Sequence, residues 1–271
     1  MIMQHIPLVP FTSIGCAECR NLEALGFDFT MAFQPIFNVT TGAPFAYEAL
    51  VRGVNGESAG FILGKVNDGN RYRFDQACRV RAIELAAQLG LPAITDCKLS
   101  INFLPKAVYR AETCIRATLE ASRTFDFPVD RLMFEVTEGE RVDDPLHLKS
   151  IFEEYARQGF TTAVDDFGSG YSGLNMLAMF QPHLLKIDMA LTRNIDQDAV
   201  RRAIVEGIML VSKRLGITVI AEGIETCEER DALLDLGVEL MQGYLFARPM
   251  VGQLQPMPLE LIRRSDVVRV A

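Results

Sequence analysis

Two periods of apolar and polar positions run along the chain. Short apolar or alternating runs at 29–38, 45–52, 99–103, 132–137, 160–165, 184–188, 218–221 and 240–246 read as eight strands. Between most of them, apolar residues recur three and four apart, as in helices, over 75–89, 106–122, 145–158, 199–215 and 226–236. Ala77, Val80, Ile83 and Ala87 share one face of the first, which ends at Gly90 and Pro92. Gly216 stops the fourth, and Thr226 followed by acids opens the fifth, which closes at Gly237. Strands alternating with helices predict parallel sheet, and eight of them predict a closed barrel. Only a short Thr- and Gly-containing link, Val39 to Pro44, separates the first two runs, so they form a hairpin. The expected fold class is α/β: a modified TIM-type (β/α)8 barrel with one antiparallel strand. Residues 1–27 read as an N-terminal extension with a helical turn over 18–25, 28–255 as one domain, and 256–271 as a C-terminal tail.

The length of 271 residues suits such a barrel, and 49% apolar with 23% charged residues suits a large core. A net charge of −8 argues against binding a nucleic acid polymer or an anionic membrane surface. No apolar run approaches the length of a membrane span, and Met1 to Phe11 lacks the basic start of a secretion signal. The six cysteines at 16, 19, 78, 97, 114 and 227 are expected to be reduced thiols in a cytoplasmic protein. Cys16 and Cys19 would need two further zinc ligands, and His5 is the sole neighbour of that kind.

Polar residues gather where strands end. The run ending at Val164 meets Asp165 and Asp166, then Phe167-Gly168-Ser169-Gly170-Tyr171-Ser172-Gly173. Neighbouring side chains of a strand point to opposite faces, so two adjacent carboxylates converge only where the backbone bends. Such a pair repels itself and calls for a cation, although Asp at a turn is also ordinary. Glu48, Asn102, Glu135, Glu138, Lys186, Asp188, Glu222, Glu225 and Gln242 occupy corresponding places on the other strands. Any one of these acids alone reads as an inward salt bridge or a strand-end cap. Together they outnumber Lys186, and oxygen-only donors point to Mg²⁺, Mn²⁺ or Ca²⁺. Without a Ser-His or Cys-His pair, a covalent nucleophile is not expected. Two hard cations suit attack of water on a phosphodiester.

The residues also resemble the EAL domain family. Tyr47-Glu48-Ala49-Leu50-Val51-Arg52 carries its signature, joined by Gln34-Pro35-Ile36, Ser100-Ile101-Asn102, Phe134-Glu135-Val136-Thr137-Glu138, the Asp165–Ser172 motif, Leu185-Lys186-Ile187-Asp188, Ala221-Glu222-Gly223-Ile224-Glu225 and Gln242-Gly243-Tyr244-Leu245-Phe246 with Pro249. The resemblance spans roughly 29–250 and implies a cyclic di-GMP phosphodiesterase that opens its substrate to linear pGpG with two Mg²⁺ or Mn²⁺ ions, Ca²⁺ being inhibitory. By that resemblance Glu48, Asn102, Glu135 and Asp165 hold the first metal. Asp165 and Asp166 hold the second, with Asp165 bridging. Glu222 is a second-metal ligand through water, or a general base. Lys186 holds the attacking water and a phosphate oxygen, and Glu138 pins the loop after Asp166. Gln34, Leu50, Arg52, Asp75, Asn102, Glu225, Gln242, Phe246 and Pro249 lie around the dinucleotide; a planar guanidinium such as that of Arg52 suits a phosphate.

Every ligand position is filled, which favours an active enzyme over a catalytically silent receptor acting through a protein partner. An enolase- or aldolase-like lyase would need a different motif order. Gly53 and His183 depart from common family residues without touching the metal set. The resemblance extends to the EAL halves of some blue-light-sensing proteins, and the 28 residues before the barrel are expected to hold no sensor or cyclase domain. Homodimerisation is expected through the loop after Asp166 and the adjoining helix, where Met176, Leu177, Met179 and Phe180 offer apolar surface. The regulatory partner is not legible.

Overall fold

The computed structural model describes residues 25–137, 145–170 and 173–261. Cys16, Cys19, Glu138 and all but the last residue of the turn expected over 18–25 lie outside them. The strands are β1 (Thr30–Asn38), β2 (Pro44–Arg52), β3 (Lys98–Asn102), β4 (Leu132–Thr137), β5 (Thr161–Phe167), β6 (Leu184–Ile187), β7 (Thr218–Ala221), β8 (Leu240–Met241) and β9 (Met250–Val251). The helices are α1 (Ala59–Leu63), α2 (Arg71–Gln88), α3 (Ala111–Cys114), α4 (Arg116–Thr124), α5 (Pro145–Arg157), α6 (Gly173–Met179), α7 (Met189–Thr192), α8 (Ala199–Leu215) and α9 (Cys227–Asp235).

Strands β2 to β8 pair in chain order and parallel, and β1 closes the ring between β2 and β8, antiparallel to both. This is the closed, mixed barrel that the alternation predicted. It also carries a ninth strand that the eight runs did not include: Met250 and Val251 pair antiparallel with Phe33 and Ala32 of β1. Strand β8 is shorter than the run at 240–246 implied. After Met241 the chain leaves the barrel to bond Ile224, which donates to the Gln242 carbonyl and accepts from Leu245 N. Gly243 permits that approach, since a Cβ there would stand 2.0 Å from the Ile224 carbonyl oxygen. The helix expected over 106–122 is broken into a 3-10 turn at Pro105–Ala107, then α3 and α4, because Arg110 adopts an extended conformation.

Alternation along the strands sorts the core into two shells. Leu99, Ile101, Phe134, Val136, Val164 and Leu185 face outward into the large cluster shared with the helices. Ile36, Ala46, Met133, Ala163, Leu184, Ile220 and Leu240 form a separate inner plug. Two positions beyond the plug on the parallel strands stand Glu48, Glu135, Asp165, Lys186, Glu222 and Gln242, and on the antiparallel β1 the polar partner, Gln34, comes two positions earlier. The same period that packs the plug therefore aims one polar residue from, or just after, each strand that contributes to it at the barrel's C-terminal mouth.

Candidate metal centre and adjoining cavity

Lys186, fully buried in β6, is the hub of the inward polar layer. Its Nζ lies 2.7 Å from Glu222 Oε1, 2.9 Å from Glu135 Oε2, 3.0 Å from Asp165 Oδ1 and 3.3 Å from Glu48 Oε2. Glu48 is held from two further sides, by Asn102 Nδ2 donating to Oε1 at 2.8 Å and Gln242 Nε2 donating to Oε2 at 2.9 Å. Strands β2, β3, β4, β5, β6, β7 and the residue after β8 thus converge on one point.

Adjacent Asp165 and Asp166 reach the same place through an irregularity in β5. Val164 pairs with Leu185 and Phe167 with Ile187, so three steps on β5 oppose two on β6. Asp166 takes a φ of 55°, in the left-handed region that a β-branched or bulky residue would resist. The bend predicted from two neighbouring carboxylates is this bulge.

The charges are unbalanced. Burial alone would lower the Lys186 pKa, but Asp165, Glu135, Glu222 and Glu48 hold it well above the ordinary lysine value. Burial pushes Glu135 up to about 8, with Glu48 and Asp165 adding to the rise and Lys186 opposing it. Burial pushes Glu222 up as well, against the Lys186 charge. Burial, Asp165 and Asp188 push Asp166 up to about 6. One ammonium does not offset five carboxylates, so the site favours added positive charge.

Two groups of side-chain oxygens are spaced to take it up. In Glu48, Glu135 and Asp165, and again in Asp165, Asp166 and Glu222, one ligand atom from each residue lies within 4.8 Å of the others. Asp165 belongs to both groups. A set of carboxylate oxygens with no thiolate or imidazole fits hard divalent cations.

Beside this centre opens a cavity of about 430 Å³ lined by Gln34, Glu48, Leu50, Asp165, Asp166, Glu222, Glu225 and Gln242, all anticipated from the sequence. Asp188, counted among the strand-end acids, lines it too, with Met189, Arg193 and Tyr244, to which the sequence reading assigns no role. Tyr244 lay within a quoted motif. Arg193 caps α7, the short helix that follows β6, in the loop region beyond a strand end where barrels carry function.

Other expected contacts are placed elsewhere. Asp75 is buried in α2 and paired with Arg79, whose Nε is 2.8 Å from Asp75 Oδ2. Asp75 Oδ1 accepts from Leu104 N, and Arg79 donates to Tyr155 Oη at 2.6 Å. Asp75 therefore anchors the loop after β3 rather than the cavity wall. Phe246 is buried edge-on against Phe37, with ring centroids 6.2 Å apart. Arg52 folds back to donate to the Val51 carbonyl at 2.7 Å, and Pro249 is half-buried outside the cavity lining. Asn102 reaches the centre through Glu48. At the dimer face expected on α6, Leu177 and Phe180 are buried, Phe180 against Phe152 at 4.5 Å. Leu174 and Met179 are the exposed apolar residues there.

The profile of the EAL domain matches residues 21–249. Among solved structures, a standalone versatile EAL protein from Vibrio cholerae O395 in its c-di-GMP-bound form is 54% identical, with a TM-score of 0.84, over 89% of this chain and all of that one. Klebsiella pneumoniae BlrP1, in a manganese/cy-diGMP complex, is 34% identical with a TM-score of 0.77, over 83% of this chain and 57% of that one. The probable cyclic di-GMP phosphodiesterase PdeD of Escherichia coli is 38% identical over 85% of this chain and 43% of its own length. The chain spans about half or less of PdeD and of several other curated relatives.

Proposed function

The chain belongs to the EAL domain family, and from this premise we propose that it hydrolyses cyclic di-GMP to linear pGpG. The observation that carries the reading is the pair of carboxylate groups sharing Asp165 beside a cavity lined by residues of the family's motifs. Glu48, Asn102, Glu135 and Asp165 would hold one Mg²⁺ or Mn²⁺ ion, and Asp165, Asp166 and Glu222 a second. Bound there, the ions would lower the pKa of a water and offset charge on the phosphodiester. The chain's own groups supply the rest. Lys186, protonated and fixed by four carboxylates, is an ammonium donor to the attacking water and a phosphoryl oxygen. Glu222, with 17% of its side chain exposed at the edge of the cluster and its pKa raised, would take a proton from that water. Asn102 and Gln242 fix Glu48 by donating to both of its oxygens.

Purified protein incubated with cyclic di-GMP is expected to form pGpG with Mg²⁺ or Mn²⁺, to stop in excess chelator and to be inhibited by Ca²⁺, as read by nucleotide chromatography. Binding without product in every metal would replace the enzyme with a receptor.

We also infer a homodimer, through a groove of about 730 Å³ running from Phe167, Gly168 and Leu174 to Ile204, Ile208 and Val211 of α8. Leu174 is 65% exposed and Ile204 44%, so a matching apolar surface would cover both. A Leu174→Asp variant is expected to sediment as a monomer and to lose turnover, since the groove begins at Phe167, which closes the bulge that sets Asp166. A monomer with wild-type turnover would separate the face from catalysis.

A further inference from the structure

Among the described residues lining the cavity, Arg193 is the sole cation; Glu48, Asp165, Asp166, Asp188, Glu222 and Glu225 are its charged companions. Its Nη2 lies 2.8 Å from Glu225 Oε1, and its Nη1 3.4 Å from Glu229 Oε1. Glu225 keeps 46% of its side chain exposed and Arg193 24%, so the pair faces the open cavity.

The tie between the two loops does not depend on this guanidinium. Glu229, buried at the start of α9, accepts from Asn194 N at 2.9 Å after α7, and from Glu225 N at 2.9 Å and Thr226 N at 3.2 Å after β7. Backbone donors already hold both loops to one carboxylate. Arg193 and Glu225 therefore lie side by side on the cavity, and their ion pair can be exchanged for a ligand without untying the loops: the guanidinium fork for acceptors, the carboxylate for donors. Tyr244, 49% exposed, lines the same cavity, with the Arg248 guanidinium 4.0 Å from its ring centre.

That arrangement matches one nucleobase. Guanine offers two adjacent acceptors, O6 and N7, next to two donors, N1–H and the N2 amino group. Adenine puts an amino donor where guanine has O6 and an acceptor where it has N1–H, so it meets both protein groups with the wrong polarity. We propose that Arg193 is a specificity-determining residue, donating to O6 and N7 of one guanine of the substrate beside Glu225. The assignment rests on the reading of cyclic di-GMP as ligand.

Calorimetric titration in Ca²⁺ of wild type, Arg193→Met and Arg193→Lys with cyclic di-GMP and with cyclic di-AMP tests it, with thermal melting of each variant confirming that it folds. Wild type is expected to prefer the guanine ligand. Arg193→Met is expected to lose about tenfold of that preference or more, through weaker cyclic di-GMP binding alone. Arg193→Lys is expected to lose it too, because a point charge does not reproduce the planar fork. Equal weakening for both ligands in Arg193→Met, with full selectivity in Arg193→Lys, would make Arg193 a general phosphate cation and overturn the proposal. Wild type failing to bind cyclic di-GMP would instead remove the functional reading on which the proposal stands.

Discussion

Asp165→Asn is expected to lower cyclic di-GMP turnover at least about a thousandfold, or roughly 4 kcal/mol of transition-state stabilisation. The effect should exceed that of any other single ligand change because Asp165 is the one residue common to both oxygen groups. An amide in its place removes a negative charge from each group at once, whereas Glu135→Gln or Asp166→Asn removes one from a single group. The substitution is nearly isosteric and takes away a carboxylate from a crowded cluster, so the metal-free protein should melt no lower than wild type. Asp166 should also fall back toward the ordinary carboxylate range, since Asp165 is one of the charges that raise it. The comparison is pGpG formation by both proteins in saturating Mn²⁺, beside their melting curves in chelator. Turnover within tenfold of wild type, with two metals still bound, would show that the groups do not share Asp165 in the working enzyme.

Much of this centre was legible because a barrel converts sequence period into position. Each inward apolar residue of the plug precedes or follows a polar one by two, so the strand pattern that predicts the fold also predicts which residues face the mouth. The Asp165-Asp166 pair signalled a bend, though nothing in the residues says that the bend is a bulge across from Leu185 and Ile187. Asp75 was misplaced for a physical reason. Its position in an amphipathic helix is compatible with a site or with a buried pair, and the clue to the pair was Arg79 one helical turn later. Phe246 was drawn into the site by motif membership, yet the chain leaves the barrel after Met241 and turns that ring onto Phe37. Arg193 went unassigned because its partners, Glu225 and Glu229, come from a different loop and a different helix more than thirty residues away. Such pairings arise from barrel closure, which local pattern does not encode.

Lys186→Met should be the most destabilising change at the centre, and reversibly so. Removing the one ammonium leaves Glu48, Glu135, Asp165 and Glu222 facing one another without a cation, and breaking a buried pair in this way costs about 3–5 kcal/mol. In chelator that corresponds to a fall in Tm of roughly 10 °C for a domain of this size. The loss should depend on pH. The folded-state pKa of Glu135 is already raised from 4.5 to about 8, so the group favours folding when protonated. Its contribution is fully present below the unfolded value near 4.5 and is lost as pH rises toward 8. Without Lys186, which opposes that rise, the folded-state pKa of Glu135 moves higher still, so the loss should continue to higher pH. Saturating Mn²⁺ should recover most of the deficit, because a divalent cation supplies the charge that the ammonium no longer does. The melting gain on adding metal should therefore be larger in Lys186→Met than in wild type, while turnover stays low for want of the ammonium donor. Equal gains in both proteins would mean that the carboxylates relax into water on losing Lys186, and that its place at the hub contributes to chemistry alone.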